Sequence, residues 1–244
     1  MSYISNPGIF EVDLVFPRNT TYTPQALMPI VWALQNPSMA PPLASSITWN
    51  LWEGNNHSSP GSVGGGLIEL LEEITSSEQL ISKFFNTITY PDGHWTLTWT
   101  LEIFNCTQYT GQSNSLKKTG STVFTISKSG QEPDLVAATA ADQCGAMEAY
   151  AFNVTSFGDA CGHLGQTPNT NPCSVNMSSS AASSIYASAT AAACAPNASL
   201  NANVTCPTST SKSSADNPAS RSHMATVPVL LMLLVTVTNL IYLR

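Results

Sequence analysis

Alternation of apolar and polar residues with period two is the feature that most constrains the fold of this chain. From Trp95 to Ile103 every second residue is apolar and the residues between them are polar. Four further segments share the alternation: Phe10–Phe16, Ile47–Leu51, Phe124–Ile126 and Tyr150–Val154. Because successive side chains of a strand point to opposite faces, these segments are predicted to be half-buried strands. Turns rich in Pro, Gly and Asn separate them, which favours an antiparallel two-sheet β-sandwich, immunoglobulin-like or jelly-roll-like.

Three segments depart from this pattern. Ala26–Leu34 is apolar on both faces, which indicates a more buried strand, with Pro29 marking a bulge or bend. Gly66–Ile74 has a helix-forming composition, but we predict a strand because the segment is short and begins in a run of glycines. Ser178–Ala193 is rich in Ala and Ser, with apolar residues at helical spacing, and is predicted to be a short helix.

The composition limits the class of protein. Charged residues make up only 9% of the 244 residues, against about 25% in typical soluble domains. We expect Ser, Thr and Asn side chains and attached sugars to make a surface with so few charges hydrophilic. The net charge is −7 and basic residues do not cluster, so nucleic acid is not an expected partner.

Cysteines and glycosylation sequons point to the secretory route. The chain has six cysteines and no C-x-x-C pair: Cys106, Cys144, Cys161, Cys173, Cys194 and Cys206. An even number of cysteines in this context predicts disulfides; many pairings are open, and we expect Cys194 to pair with its neighbour Cys206. N-glycosylation sequons occur at Asn19, Asn56, Asn105, Asn153, Asn176, Asn197 and Asn203. We expect one or two of them to be unused, and Asn153 to point to solvent.

The C-terminal end has the order of a GPI-anchor signal. Ala225–Leu243 carries no charge, and a polar spacer and the small residues Ser213 and Ser214 precede it. This order predicts lipid attachment at Ser213 or Ser214 and removal of the apolar tail. The alternative is a permanent transmembrane helix, which the polar residues inside the span disfavour. An anchor requires a leader peptide, and since none begins at Met1 we expect either that the true start lies upstream or that the leader has been removed.

The predicted organisation has three parts. Residues 1–207 form a secreted β-sandwich domain, 208–224 a Ser/Thr-rich stalk with the attachment region, and 225–244 the hydrophobic tail. The expected location is the extracellular face of the plasma membrane or the cell wall, with the membrane as a partner through the lipid anchor.

Several segments resemble a family of uncharacterised secreted fungal proteins. The opening Glu11–Asn19, with the sequence EVDLVFPRN, is the most specific of them. The others are Tyr90–Gly93 with Trp95–Trp99, Pro133–Thr139, and Pro172–Cys173 followed by the Ala/Ser segment and Cys194. The resemblance extends to about Cys206 and implies a domain of unknown function, often with a GPI tail. It implies no reaction and no binding residues, but it places the last three cysteines in the folded unit.

The sequence carries no recognisable catalytic, cofactor or metal motif. No two histidines have a metal-ligand spacing, and Gly61–Gly66 lacks the Lys that follows in a phosphate-binding loop, so we expect a flexible connection there. A carboxylate pair could in principle hydrolyse a glycosidic bond. Glu11 and Asp13 share a strand face, but we expect them to be solvated surface groups, and Glu102 is no better a candidate for this catalytic role.

Among the tryptophans, Trp49, Trp95 and Trp99 are expected in the core. Trp52 lies on the polar face of its strand and is the one candidate sugar contact. The leading interpretation is a non-enzymatic, GPI-anchored glycoprotein of the cell surface or cell wall. The alternative is a polysaccharide-binding module or a carboxylate-dependent polysaccharide-active enzyme, with cell-wall polysaccharide as the partner.

Overall fold

Strands form at every segment in which apolar and polar residues alternate. The computed structural model describes residues 6–54, 62–70, 79–106, 113–158, 161–196 and 203–207. All of these residues except 207 belong to one compact unit, Met1–Cys206. Within these ranges the strands are β1 (Gly8–Phe16), β2 (Thr21–Tyr22), β3 (Met28–Gln35), β4 (Ser46–Glu53), β5 (Ser62–Glu69), β6 (Leu80–Phe85), β7 (Gly93–Cys106), β8 (Ser113–Ile126), β9 (Glu148–Phe157) and β10 (Gly162–Leu164).

One hydrogen-bonded sheet contains all of these strands. Its order is β2-β8-β7-β10-β9-β1-β3-β6, and β4 pairs with β5 and β7 beside this path. Most pairs are antiparallel, but β10 with β7 and β2 with β8 are parallel. The expectation of an antiparallel two-sheet sandwich is therefore wrong in two respects, because the sheet is continuous and it is mixed.

The short strand β10 is the physical reason for this difference. Gly162 pairs with Phe157 of β9 on one side and with Asn105 of β7 on the other. Without β10, the strands would divide into one group around β7 and another around β1. The Cys106–Cys161 disulfide joins the residues next to the Asn105–Gly162 pair and fixes this link covalently.

The sheet curls so that strands far apart in its order meet face to face. The ring centroids of Trp32 on β3 and Trp99 on β7 are 6.5 Å apart. Phe85 on β6 and Phe124 on β8, near opposite ends of the order, are also 6.5 Å apart. Large apolar side chains from both parts of the sheet thus share one core, in which burial of apolar surface is the main source of stability.

The part of the chain that the structure describes includes two α-helices outside the sheet. Helix α1 is Leu135–Ala138, and Asp134 caps it by accepting hydrogen bonds from the Val136 and Ala137 N–H groups at 3.0 and 2.9 Å. Helix α2 is Ser179–Ala193, capped by the Ser178 hydroxyl, which confirms the predicted Ala/Ser helix. The described ranges also contain three 3-10 helices: Pro37–Met39, Cys144–Ala146 and Pro172–Ser174.

The glycine-rich segment is a strand, so the prediction of a flexible connection for Gly61–Gly66 is wrong from Ser62 onward. Ser62–Glu69 pairs with β4 along its length. A side chain at Gly65 would overlap the Asn50 side chain of the neighbouring strand, so glycine is needed there for close approach. The strand predicted over Gly66–Ile74 is confirmed as far as Glu69, and residues 71–74 lie outside the described ranges.

Three disulfides connect the cysteines. They are Cys106–Cys161, Cys144–Cys173 and Cys194–Cys206. The predicted pairing of Cys194 with Cys206 is confirmed.

Candidate functional site

Strands β5, β4, β7 and β8 present a largely polar surface, which we call the outer face. The register aligns Leu67, Thr48, Thr100 and Thr119 in one row across the four strands. The next row contains Gly65, Asn50, Thr98 and Ser121. The opposite faces of β4 and β7 carry Ile47, Leu51, Leu97 and Leu101, which are all buried in the core. Period-two alternation therefore places hydroxyl and amide groups on the solvent side of the sheet.

Trp52 lies on the outer face, as the sequence predicts. It is half-buried, and it is paired across the strands with Thr96 of β7. Its indole Nε1 donates a hydrogen bond to Thr98 Oγ1 at 3.3 Å. This bond holds the ring next to the threonine rows, where part of the ring surface is exposed.

The hydroxyl groups of the outer face hydrogen-bond to one another and to the backbone. Thr100 Oγ1 and Thr119 Oγ1 are 2.9 Å apart, and Thr98 Oγ1 donates to the Asn50 carbonyl at 3.4 Å. A charged pair borders the rows, with Lys117 Nζ 3.2 Å from Glu102 Oε2. The hydrogen bond from Ser115 and then the Lys117 charge lower the pKa of Glu102. Glu102 is thus an ionised surface group in an ion pair.

The other tryptophans lie elsewhere. Trp95 and Trp99 are 2% and 1% exposed, which confirms that they belong to the core, and Trp49 is half-buried against it. Trp32, which the sequence analysis did not single out, is fully buried beside Trp99. Trp52 is therefore the tryptophan that the described part of the chain offers on the polar side of the sheet.

Glu11 and Asp13 are not solvated, so the expectation of an exposed carboxylate pair is wrong. They are 1% and 0% exposed. The segment Asn171–Ser174 covers them: the Asn171 N–H donates to Glu11 Oε1 and Oε2 at 2.8 and 3.0 Å. Gln35 Nε2 donates to Asp13 Oδ2 and to the Asn171 carbonyl, both at 3.0 Å. A substrate cannot reach these carboxylates while the cover is in place.

The cover comes from a part of the chain remote in sequence, which is why alternation on β1 alone could not predict it. One signal was available on the neighbouring strands. Asp13 lies between Ala33 and Ala149, and Glu11 lies next to Ala151. Small apolar residues on the nominally polar face leave room for a covering segment and indicate burial.

Burial first, and then the neighbouring Glu11, raise the pKa of Asp13 to about 8, while the hydrogen bond from Gln35 opposes the shift. Asp13 Oδ1 is buried and has no hydrogen-bond partner among the described residues. A proton on Asp13 removes one of the two buried charges, which would otherwise be costly without a cation nearby.

A cleft of about 430 Å³ opens between β8 and the loop after β1. Its walls include Arg18 and Asn19 from the loop, Ser121–Val123 from β8, and Glu148 from β9. Trp99 Nε1 and the Tyr150 hydroxyl donate to the Glu148 carboxylate at 2.9 and 3.0 Å. Desolvation, and then the charge of Glu148, raise the pKa of Tyr150. The carboxylate is therefore held in a fixed position at one end of the cleft.

Gly120 of β8 makes room for this carboxylate. A Cβ at this position would overlap the Glu148 carboxylate atoms. On the other side of the cleft, Arg18 Nη2 donates to the Gln143 carbonyl at 2.6 Å, and desolvation lowers the pKa of Arg18. Arg18 also borders a second cleft of about 500 Å³, which Asp134 and Asp142 line.

The predicted modification sites differ in their exposure. Among the sequons, Asn19, Asn176 and Asn203 are exposed, and Asn105 and Asn153 are half-buried. Asn56 and Asn197 lie outside the described ranges, as do Ser213, Ser214 and the apolar tail. Within those ranges no helix is long and apolar enough to cross a bilayer, and no group of three or more His, Cys, Asp or Glu side chains could hold a metal ion.

Comparisons with known proteins give a family and little else. No curated protein matches the sequence. A solved structure of the PmoD soluble domain from Methylocystis sp. ATCC 49242 (Rockwell) is 13% identical over 51% of this chain and 94% of that chain, and at a TM-score of 0.23 it carries no argument about fold. The family model matches residues 5–206, nearly the whole region described above. The chain belongs to the family described as a domain of unknown function (DUF7136).

Proposed function

We propose that this protein is a non-enzymatic glycoprotein of the cell surface or cell wall that binds wall polysaccharide through the outer face around Trp52. The observation that carries the proposal is the position of Trp52. A partly exposed indole, held by Thr98, lies beside two rows made mainly of hydroxyl and amide groups on one face of the sheet.

This combination suits the chemistry of a sugar chain. A pyranose ring has an apolar face that packs on an aromatic ring, and hydroxyl groups around its edge that both donate and accept hydrogen bonds. Trp52 supplies the aromatic surface. Thr48 and Ser121 are exposed, and each hydroxyl can donate one hydrogen bond and accept two. The two rows continue across four strands, which fits an extended chain better than a small soluble molecule.

The proposed location rests on the covalent features of the chain. Three disulfides are typical of an oxidising compartment, and the exposed sequons Asn19, Asn176 and Asn203 are accessible to attached glycans. We include in the proposal the GPI attachment at Ser213 or Ser214 and the fungal origin that the resemblance implies. Such an anchor would hold the outer face close to wall polymers.

The carboxylate-dependent enzyme has less support. Glu11 and Asp13 lie beneath Asn171–Ser174, and Glu102 is engaged by Lys117 and Ser115.

A binding assay on insoluble polysaccharides tests the proposal. The purified full-length chain is incubated with chitin, β-1,3-glucan, mannan and cellulose, and the bound fraction is measured against protein concentration. We expect saturable binding to at least one polymer. Trp52→Ala should weaken that binding by about tenfold or more, because stacking of a sugar ring on an aromatic side chain is lost.

Two controls make the result specific. Trp52→Phe keeps an aromatic ring and should retain most of the binding, whereas Val136→Ala removes surface methyl groups on α1 and should change nothing. Absence of binding to every polymer, or equal binding by Trp52→Ala and the unmodified chain, would contradict the proposal.

A further inference from the structure

The edge of β8 that lines the 430 Å³ cleft has open backbone hydrogen-bonding groups. β8 pairs with β7 without a register shift, so its N–H groups point alternately toward β7 and toward the free edge. The Thr125 N–H donates to the Thr20 carbonyl on the free side. By this alternation the N–H groups of Ser121 and Val123 also point to that side. No described residue accepts a hydrogen bond from either of them.

The strand β2 covers only the end of this edge. It runs parallel to β8 and pairs Thr21 and Tyr22 with Thr125 and Ile126. The chain before β2 turns away through Pro17–Asn19, which form the cleft wall. The cleft therefore occupies the position in which a strand beside Ser121–Val123 would continue the line of β2.

Groups of opposite charge line the cleft. The Glu148 carboxylate lies against Gly120, just before the segment of β8 that lines the cleft. Arg18 also lines the cleft, and two residues after it comes Thr20, whose carbonyl bonds to Thr125 further along β8. A ligand parallel to β8 would thus have its first atoms near a negative group and its last atoms near a positive group.

We propose that this cleft binds a short peptide with free termini, which adds to the edge of β8 as a parallel strand beside Ser121–Val123. Its terminal ammonium group lies at the Glu148 carboxylate, and its terminal carboxylate lies on the side of Arg18. Its backbone accepts hydrogen bonds from the Ser121 and Val123 N–H groups, which are spaced as the carbonyls of an extended peptide require, about 6.7 Å apart. The ligand has about three residues, the length of β8 that lines the cleft.

The cleft is distinct from the outer face, which is the surface proposed to bind polysaccharide. The side chain of Ser121 belongs to the outer face, but the cleft uses its backbone N–H, so the two functions can be tested apart. Failure of one leaves the other unaffected.

Calorimetric titration of the full-length chain with trialanine tests the proposal. We expect saturable binding of trialanine. The N-acetylated peptide and the C-amidated peptide should each bind at least about tenfold more weakly, because each loses one charge contact. Methylation of the central peptide nitrogen serves as a further probe of main-chain fit. In nuclear magnetic resonance spectra, the amide signals of Ser121 and Val123 should shift on titration with trialanine.

Protein variants provide a second test of the proposed peptide contacts. Glu148→Gln keeps the shape of the side chain and should weaken trialanine binding about tenfold, whereas Glu69→Gln, an exposed carboxylate on β5, should leave it unchanged. Equal affinity for free and blocked peptides would overturn the proposal, even if Glu148→Gln fails to fold. Binding of an oligosaccharide in place of the peptide at Ser121 and Val123 would also overturn it.

Discussion

The carboxyl groups of Glu11 and Asp13, two residues apart on β1, are both buried in the interior of the protein, and Glu11 raises the pKa of Asp13. A strand places residues i and i+2 on the same face about 7 Å apart at their Cα atoms, and here both side chains lie under Asn171–Ser174. Two buried charges without a cation would be costly, so the pair retains a proton. This makes β1 sensitive to pH.

The free energy of unfolding should fall as the pH rises from about 4 to about 8. Desolvation first, and Glu11 second, raise the pKa of Asp13 from 3.8 to about 8, so between these values the folded chain holds a proton that the unfolded chain has lost. The stabilisation is complete below the unfolded pKa and is lost as the pH passes the folded one, with a slope of up to about 1.4 kcal/mol per pH unit. Urea unfolding at a series of pH values measures it.

The control for this prediction is Asp13→Asn, which imitates the protonated carboxyl. The variant should lose the Asp13 contribution to the slope, whereas Asp92→Asn at an exposed site should keep it. An unchanged slope in Asp13→Asn would show that the proton on Asp13 does not govern stability.

Loss of the Cys144–Cys173 disulfide should release the cover over the carboxylates. The two cysteines are 29 residues apart in sequence, and closing a loop of this size stabilises a fold by about 3 kcal/mol. In Cys144→Ser/Cys173→Ser we expect this loss together with faster hydrogen exchange at the Asn171 N–H. As a comparison, Cys194→Ser/Cys206→Ser should leave exchange at Asn171 unchanged. If both pairs act alike on Asn171, the disulfide does not hold the cover.

Gly120→Ala should destabilise the protein by about 1–3 kcal/mol, because the new methyl group overlaps the Glu148 carboxylate. Thermal unfolding measures the loss. Gly145→Ala is the matched control, since a Cβ at Gly145 meets no atom within 4 Å. If the clash with Glu148 is the cause, Glu148→Ala should suppress the effect of Gly120→Ala in a double-mutant cycle.

Glycan occupancy should follow exposure in the folded protein. Asn19, Asn176 and Asn203 should carry glycans, because their side chains are exposed. Asn153 should be largely unmodified, since its Nδ2 lies 2.8 Å from the position of a Cβ at Gly165 and a sugar there would collide with that segment. Mass spectrometry of intact glycopeptides from the native host gives the occupancies. High occupancy at Asn153 would mean that the backbone near Gly165 moves to admit a sugar.

Local sequence patterns predicted the alternating strands, the Ala/Ser helix, and the side of the sheet on which Trp52 lies. Alternation over Trp95–Ile103 assigned β7 correctly, because side chains of a strand alternate whatever the strand pairs with. The helix at Ser179–Ala193 was equally predictable, since its capping residue and composition are local. Burial of Glu11 and Asp13 was not predictable from β1 itself, because Asn171 reaches them from 160 residues further along the chain.

The sequence by itself determined the strands that carry period-two alternation and which of their faces are apolar, and it predicted the pairing of Cys194 with Cys206. Only the tertiary structure decided that one sheet forms instead of two, because three residues of β10 join β7 to β9 beside the Cys106–Cys161 disulfide. It alone brought Glu148 against Gly120 and the cover onto Asp13. The physical reason is that alternation and capping depend on neighbours in sequence, whereas burial of a polar group depends on whatever segment packs over it.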